Sequence, residues 1–281
     1  MLVCRPHSGG MGGIMVKFIC TDVDGTLVPD GGHDLNPEYF SQIRRLKKMG
    51  ILFAAVSGRS YSSLEKLFAP VIQDILFICD NGARTIFQNN LIACHTIRRD
   101  LADEITRDIE AILGCTTYIS GVKSGYVKKD AHELYQWLTD GYQLDITQVD
   151  RMPEDIPAGE RILGVEMYHP TAAEELANQG LYQKWHGHRE LQVVCSGRQW
   201  MNFTPLSADK GIAVSEYQNR HGIQPADTMA FGDNLNDAGM LLRADQSYAI
   251  GNARKEIKGL ARFVTDTNVN DGVLQVLKTI K

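Results

Sequence analysis

Short apolar runs alternate with amphipathic stretches from residue 16 onward, and this alternation restricts the fold more than any other feature. Residues 16–21, 51–56 and 75–79 read as buried strands. Between them, a helix is predicted over residues 36–49, opened by Asn36-Pro37, with Ile43 and Leu46 on its inner face and Gly50 as its stop. A second is predicted over 60–68. Repeated strand–helix units of this kind build a parallel sheet covered by helices.

After Asn81-Gly82 the texture changes. Residues 84–87 and 91–95 flank Gln88-Asn89-Asn90 as a hairpin, followed by a helix over 101–113 and strands over 116–120 and 125–128. Helices are predicted at 131–139 and 172–185 and strands at 144–149, 161–168 and 191–195, while Pro153 and Pro157 mark an exposed loop. From residue 201 the alternation resumes, with helices at 209–218, 237–243 and 273–280 and strands at 228–231 and 247–250. The expected fold class is α/β: a Rossmann-like parallel-sheet core in two segments, residues 1–83 and 200–281, with an inserted α+β domain over 84–199. Residues 1–14, glycine-rich but not between a strand and a helix, are expected to be a flexible extension.

A formal net charge of −5 gives no basic footprint for nucleic acid or an anionic membrane surface. An anionic small substrate would therefore need a local positive site made of a metal ion, a lysine or backbone N–H groups. The cysteines are scattered, without a Cys-x-x-Cys pair, and read as reduced and mostly buried. No apolar stretch is long enough to span a bilayer. A cytoplasmic location is expected.

Asp22-Val23-Asp24-Gly25-Thr26-Leu27 follows the first apolar run directly, so both carboxylates emerge at the C-terminal edge of the sheet, where open α/β sheets bind ligands. Two acids two residues apart can divide labour, one attacking as an anion and the other handling a proton. Alone, the segment is an Asp-rich turn ending a strand. Ser57-Gly58-Arg59 ends the second strand and offers a hydroxyl and N–H groups to phosphate oxygens; alone it is a strand-to-helix turn with Ser57 as N-cap. Lys210 opens a helix and could neutralise a phosphoryl group, or simply be a solvated surface lysine. Gly232-Asp233-Asn234-Leu235-Asn236-Asp237 follows another apolar run and adds enough hard oxygen ligands for Mg²⁺.

In this order, each after its strand, these four segments resemble the motifs of the haloacid dehalogenase superfamily, and within it the Cof-type phosphatases with a large α/β cap. Asp80-Asn81-Gly82-Ala83, Ala249-Ile250-Gly251-Asn252-Ala253 and Asn270-Asp271-Gly272-Val273 extend the resemblance. It implies an aspartyl-phosphate mechanism with Asp22 as nucleophile and Asp24 as acid and then base. It also implies Mg²⁺ on Asp22, Asp233 and the Asp24 main-chain carbonyl, with Asp237 in support. Ser57, Gly58, Lys210, Asn236 and the Val23 N–H would hold phosphoryl oxygens. The expected partner is a small phosphorylated metabolite, a sugar phosphate or nucleotide. A phosphomutase and a non-catalytic phospho-ligand sensor are the alternatives. Tyr126, His132, Tyr135, Trp137 and Lys123 are candidates for contact with the leaving group.

Overall fold

A computed structural model describes residues 16–141, 144–196 and 198–281, the side chain of Ser196 excepted. The expected flexible extension at residues 1–14 lies outside the described residues. Among the described residues, fourteen strands form two sheets. They are β1 (Phe18–Thr21), β2 (Leu52–Val56), β3 (Ile75–Cys79), β4 (Arg84–Phe87), β5 (Asn90–Cys94), β6 (Thr116–Gly121), β7 (Gly125–Lys128), β8 (Ile146–Val149), β9 (Ile162–Tyr168), β10 (Leu191–Ser196), β11 (Trp200–Pro205), β12 (Thr228–Gly232), β13 (Gln246–Ala249) and β14 (Phe263–Val264).

The first sheet has eight strands in the order β14-β13-β12-β1-β2-β3-β4-β5, parallel from β14 to β3 and antiparallel at β4 and β5. Its central parallel strands β12, β1, β2 and β3 are buried on both faces. One face packs against the helices Glu38–Lys48, Tyr61–Leu67 and Gly272–Leu277, which contribute Ile43, Leu46, Leu64 and Leu274 to a cluster with Ile19, Phe53 and Phe231. The other face packs against the helix Lys210–His221 and its neighbours through Ala213, Val214, Met240 and Ile257. Each fully buried side chain of this size contributes about 1.5–3 kcal/mol by leaving water. The second sheet has six strands, β10-β11-β9-β6-β7-β8, with the helix Arg99–Glu110 against one face through Leu101, Ile105 and Ile109.

The sheet pairings run across the expected boundaries at residues 83/84 and 199/200. The hairpin β4–β5 belongs to the eight-stranded sheet, because Phe77 pairs with Ile86 and Leu76 with Phe87 across β3. β11 belongs to the six-stranded sheet, where it lies between β10 and β9 and buries Met201 and Phe203. Alternating apolar residues call for a partner sheet without saying which one. The single helix expected over 172–185 is two, Ala173–Ala177 and Leu181–Trp185, separated at Gly180 with φ 141°. The loop carrying Pro153 and Pro157 is not wholly exposed: Met152 and Ile156 enter the core, and Arg99 donates to the carbonyls of Pro153, Ile156 and Pro157.

Candidate active site

β1 and β12 lie side by side in parallel, with Thr21 level with Phe231 and the Asp22 N–H donating to the Phe231 carbonyl at 2.9 Å. Chain order reverses between these strands, since β1 continues to β2 on one side and meets β12 on the other. Such a switch point is where an open α/β sheet exposes strand ends to a ligand. Asp22 and Asp233 each stand one residue beyond their strand, at that point. The turn after Asp22 requires Gly25, which has φ +76° and whose missing Cβ would sit 2.5 Å from Asp233 Oδ2.

Asp22, Asp233 and Asp237 present carboxylate oxygens within 4.8 Å of one another. Asp237, expected in a supporting place, is thus one of three converging carboxylates. Its Oδ2 accepts from the N–H groups of Asp233 (2.9 Å) and Asn234 (3.0 Å), which fixes the loop after β12. Thr26 Oγ1 donates to Asp233 Oδ1 at 2.9 Å. Lys210 is not a surface lysine: it is 1% exposed, and its Nζ donates to Asp22 Oδ1 at 2.6 Å and Asp237 Oδ1 at 2.7 Å. Asp209 aims it by capping the helix that Lys210 opens, accepting from the Ile212 N–H at 2.9 Å.

One ammonium thus bridges two carboxylates, Asp22 and Asp237, of a three-carboxylate cluster in a largely buried place. Burial, then the charge of Asp237, pushes the Asp22 carboxyl up, against the pull of Lys210 and the Val23 N–H. Burial likewise raises Asp233 in spite of the Thr26 hydrogen bond. For Lys210 burial works against the charged form, and its two carboxylate partners more than offset it, so its pKa rises. A cluster with this excess of negative charge and only hard oxygen donors fits a divalent cation such as Mg²⁺.

Asp24 points elsewhere. Its carboxylate is held by Arg59, Nε to Oδ2 at 2.9 Å and Nη2 to Oδ1 at 2.6 Å, and by the Gly31 N–H at 3.0 Å. Burial pushes its carboxyl up, but the hydrogen bonds and charge of Arg59 outweigh that and hold it below the ordinary aspartate range. Ser57 is buried at the end of β2 and accepts from the Arg59 N–H through Oγ at 3.1 Å. Ser60, not Ser57, caps the following helix. Gly58 faces Asn81, whose Oδ1 accepts from Asn236 Nδ2 at 3.1 Å, so the loops after β2, β3 and β12 meet. Val23 is buried and its carbonyl accepts from Leu27 and Val28, closing the turn.

The sequence alone gives no role to Arg59, Thr26 or Asn81, although each lies inside one of the strand-end segments. Their partners are over 200 residues away for Thr26 and 155 for Asn81. Of the residues expected to meet the leaving group, Tyr126 is 4% exposed and donates to Glu160 Oε2 at 2.7 Å, inside its own domain. Tyr135 and Trp137 pack in an aromatic cluster with Tyr168 and Trp200, and His132 and Lys123 are exposed. Cys20, Cys79, Cys94, Cys115 and Cys195 are free thiols, and no helix of the described residues is long and apolar enough to cross a membrane.

The haloacid dehalogenase-like hydrolase family model matches residues 19–277. A solved structure from Eubacterium rectale is 31% identical and superposes with a TM-score of 0.89, covering 96% of this chain and 100% of that one. Phosphatase YwpJ of Bacillus subtilis is 26% identical over 94% of this chain and 99% of its own length. The 5-amino-6-(5-phospho-D-ribitylamino)uracil phosphatase YbjI of Escherichia coli is 23% identical over 94% and 96%. With its parallel-sheet core, its four strand-end motifs and a match along nearly all of its length, the chain belongs to the haloacid dehalogenase-like hydrolases, in the Cof-type phosphatase group.

Proposed function

We propose that this protein is a Mg²⁺-dependent phosphomonoesterase that releases phosphate from small phosphorylated metabolites by way of an aspartyl-phosphate on Asp22. The observation that carries the reading is the convergence of the Asp22, Asp233 and Asp237 carboxylates, with the buried Lys210 bridging Asp22 and Asp237. Relatives named as phosphatases of small metabolites support the substrate class.

In this reading an Asp22 carboxylate oxygen attacks phosphorus and the ester P–O bond breaks, the leaving oxygen taking a proton from Asp24. Water then attacks phosphorus, Asp24 accepts its proton, and the P–O bond to Asp22 breaks to free inorganic phosphate. Asp24 must therefore carry a proton at one stage and lose it at the next. Arg59 favours the anionic form, so it supports the second stage and must loosen its hold in the first. Lys210 aims Asp22 and favours its anionic form, and Ser57, the Gly58 and Val23 N–H groups and Asn236 orient phosphoryl oxygens. Mg²⁺ held by Asp22, Asp233 and Asp237, with the Asp24 carbonyl, would supply the positive charge that lets a dianionic ester approach a carboxylate. The six-stranded unit would act as the cap that excludes water and reads the leaving group.

A phosphate-release screen over a metabolite panel, with Mg²⁺ and with EDTA, tests the reading. Mg²⁺-dependent release from at least one monoester is expected. Isomerised ester with little free phosphate would favour a mutase, and no turnover of any ester would contradict both.

A further inference from the structure

The second sheet has one face committed to its own core. Ile119, Val165, Met167, Met201 and Phe203 pack there with the helix Arg99–Glu110. Side chains alternate along strands, so the residues between them stand on the opposite face. In register across β6, β9 and β11, these are Tyr118, Glu166 and Asn202, a phenol, a carboxyl and an amide in one row.

This face looks toward the first sheet. Leu163, at the register shift beside Gly121, packs with Ala83 and Ala208, which adjoin the Asn81-Gly82 turn and the Asp209–Lys210 helix start. The charge of Asp80, at the end of β3, acts on both Glu166 and Tyr118. The next row opens a space for the carboxyl: a Cβ at Gly164 would lie 2.6 Å from Glu166 Oε1 and 2.9 Å from Ser120 Oγ.

Glu166 is half-satisfied. Oε1 accepts from Ser120 Oγ at 3.1 Å, whereas Oε2 is buried with no partner. Burial pushes this carboxyl up to about 8. An unmatched carboxyl oxygen costs stability that an apolar side chain would not, the usual mark of a group kept for a ligand.

We propose that Glu166 is a specificity-determining residue whose Oε2 bonds a hydroxyl of the leaving group, so that the preferred esters are phosphorylated polyols or sugars. The inference rests on the phosphatase reading above and deepens it. A leaving group with a second phosphate or a carboxylate is disfavoured, because the row Tyr118–Glu166–Asn202 carries no cation and the nearby Arg84 is already paired with Asp80.

The test compares kcat/KM for sorbitol 6-phosphate with that for p-nitrophenyl phosphate, which has no free hydroxyl, in the parent, Glu166→Leu and Glu166→Gln, with thermal melts of each. Glu166→Leu is expected to lose about ten-fold or more on the polyol ester, chiefly through KM, and to stay within about two-fold on p-nitrophenyl phosphate. Its Tm is expected to be unchanged or raised. Glu166→Gln, which keeps an acceptor oxygen, should recover part of the loss. Equal losses on both esters, no loss on either, or a parent that favours p-nitrophenyl phosphate would overturn the subsite alone. A parent that hydrolyses neither of these esters would overturn the subsite, and one that hydrolyses no ester of the wider panel with Mg²⁺ would remove the phosphatase reading with it.

Discussion

Arg59 grips Asp24 with two of its nitrogens, Nε on Oδ2 at 2.9 Å and Nη2 on Oδ1 at 2.6 Å, and Nη2 also donates to the Gly32 carbonyl. The fork joins the turn after β1 to the end of β2 and sets the proton affinity of Asp24. Because the folded-state pKa of Asp24 is depressed, the pair's contribution is present above the ordinary aspartate pKa and is lost as pH falls through the folded value. The Asp24 side chain is 31% exposed, so solvent screening keeps that contribution to roughly 1 kcal/mol or less.

Removing Arg59 therefore lets the Asp24 pKa rise. In Arg59→Ala the limbs of the pH–rate profile that report Asp24 should both move to higher pH, with activity surviving at reduced level. Steady-state kinetics across pH on one ester measures this. A profile that stays in place, or moves to lower pH, would contradict the coupling.

Lys210 answers to two buried carboxylates, so Lys210→Met leaves Asp22 and Asp237 without their shared cation. Loss of one partner from a buried ionic cluster costs about 3–5 kcal/mol. Since the Lys210 pKa is raised, its contribution is complete below the ordinary lysine value and is lost only as pH rises through the folded one. Denaturant unfolding of Lys210→Met in EDTA at neutral pH should show the full loss, and Mg²⁺ should restore part of it. A variant as stable as the parent in EDTA would refute the pairing.

Burial raises the carboxyls of Asp22 and Asp233, so protons compete with a cation for them at higher pH than for exposed aspartates. Mg²⁺ affinity measured by calorimetry should fall from mildly alkaline to mildly acidic pH, with proton release on binding. An affinity flat across that window would rule out these ligands.

Gly25→Ala would strain a turn at φ +76° and push against Asp233 Oδ2. A loss of about 1–3 kcal/mol is expected, with weaker Mg²⁺ binding. Unaltered Mg²⁺ affinity would show that Gly25 does not shape the site.

The parallel strands other than the short edge strand β14, and the four strand-end segments, were legible in the sequence because their physics is local: buried strands read as apolar runs, and Asp, Ser and Lys at their ends read as an edge. The membership of β4–β5 and β11 was not, since it depends on which of two sheets offers an open edge. Burial of Lys210 was equally hidden, as a helix-opening lysine looks the same whether it meets water or Asp22. Glu166 escaped notice for the same reason. Its row exists only once β6, β9 and β11 are in register.

The proposed reaction centres on Asp22, and the most direct measurement is phosphate release by Asp22→Asn in saturating Mg²⁺, beside a thermal melt. Asparagine keeps the shape and can still accept from Lys210, but it cannot form the phosphoenzyme. The account predicts a fall of at least about 10³-fold with the fold preserved. Turnover within a few-fold of the parent would contradict it.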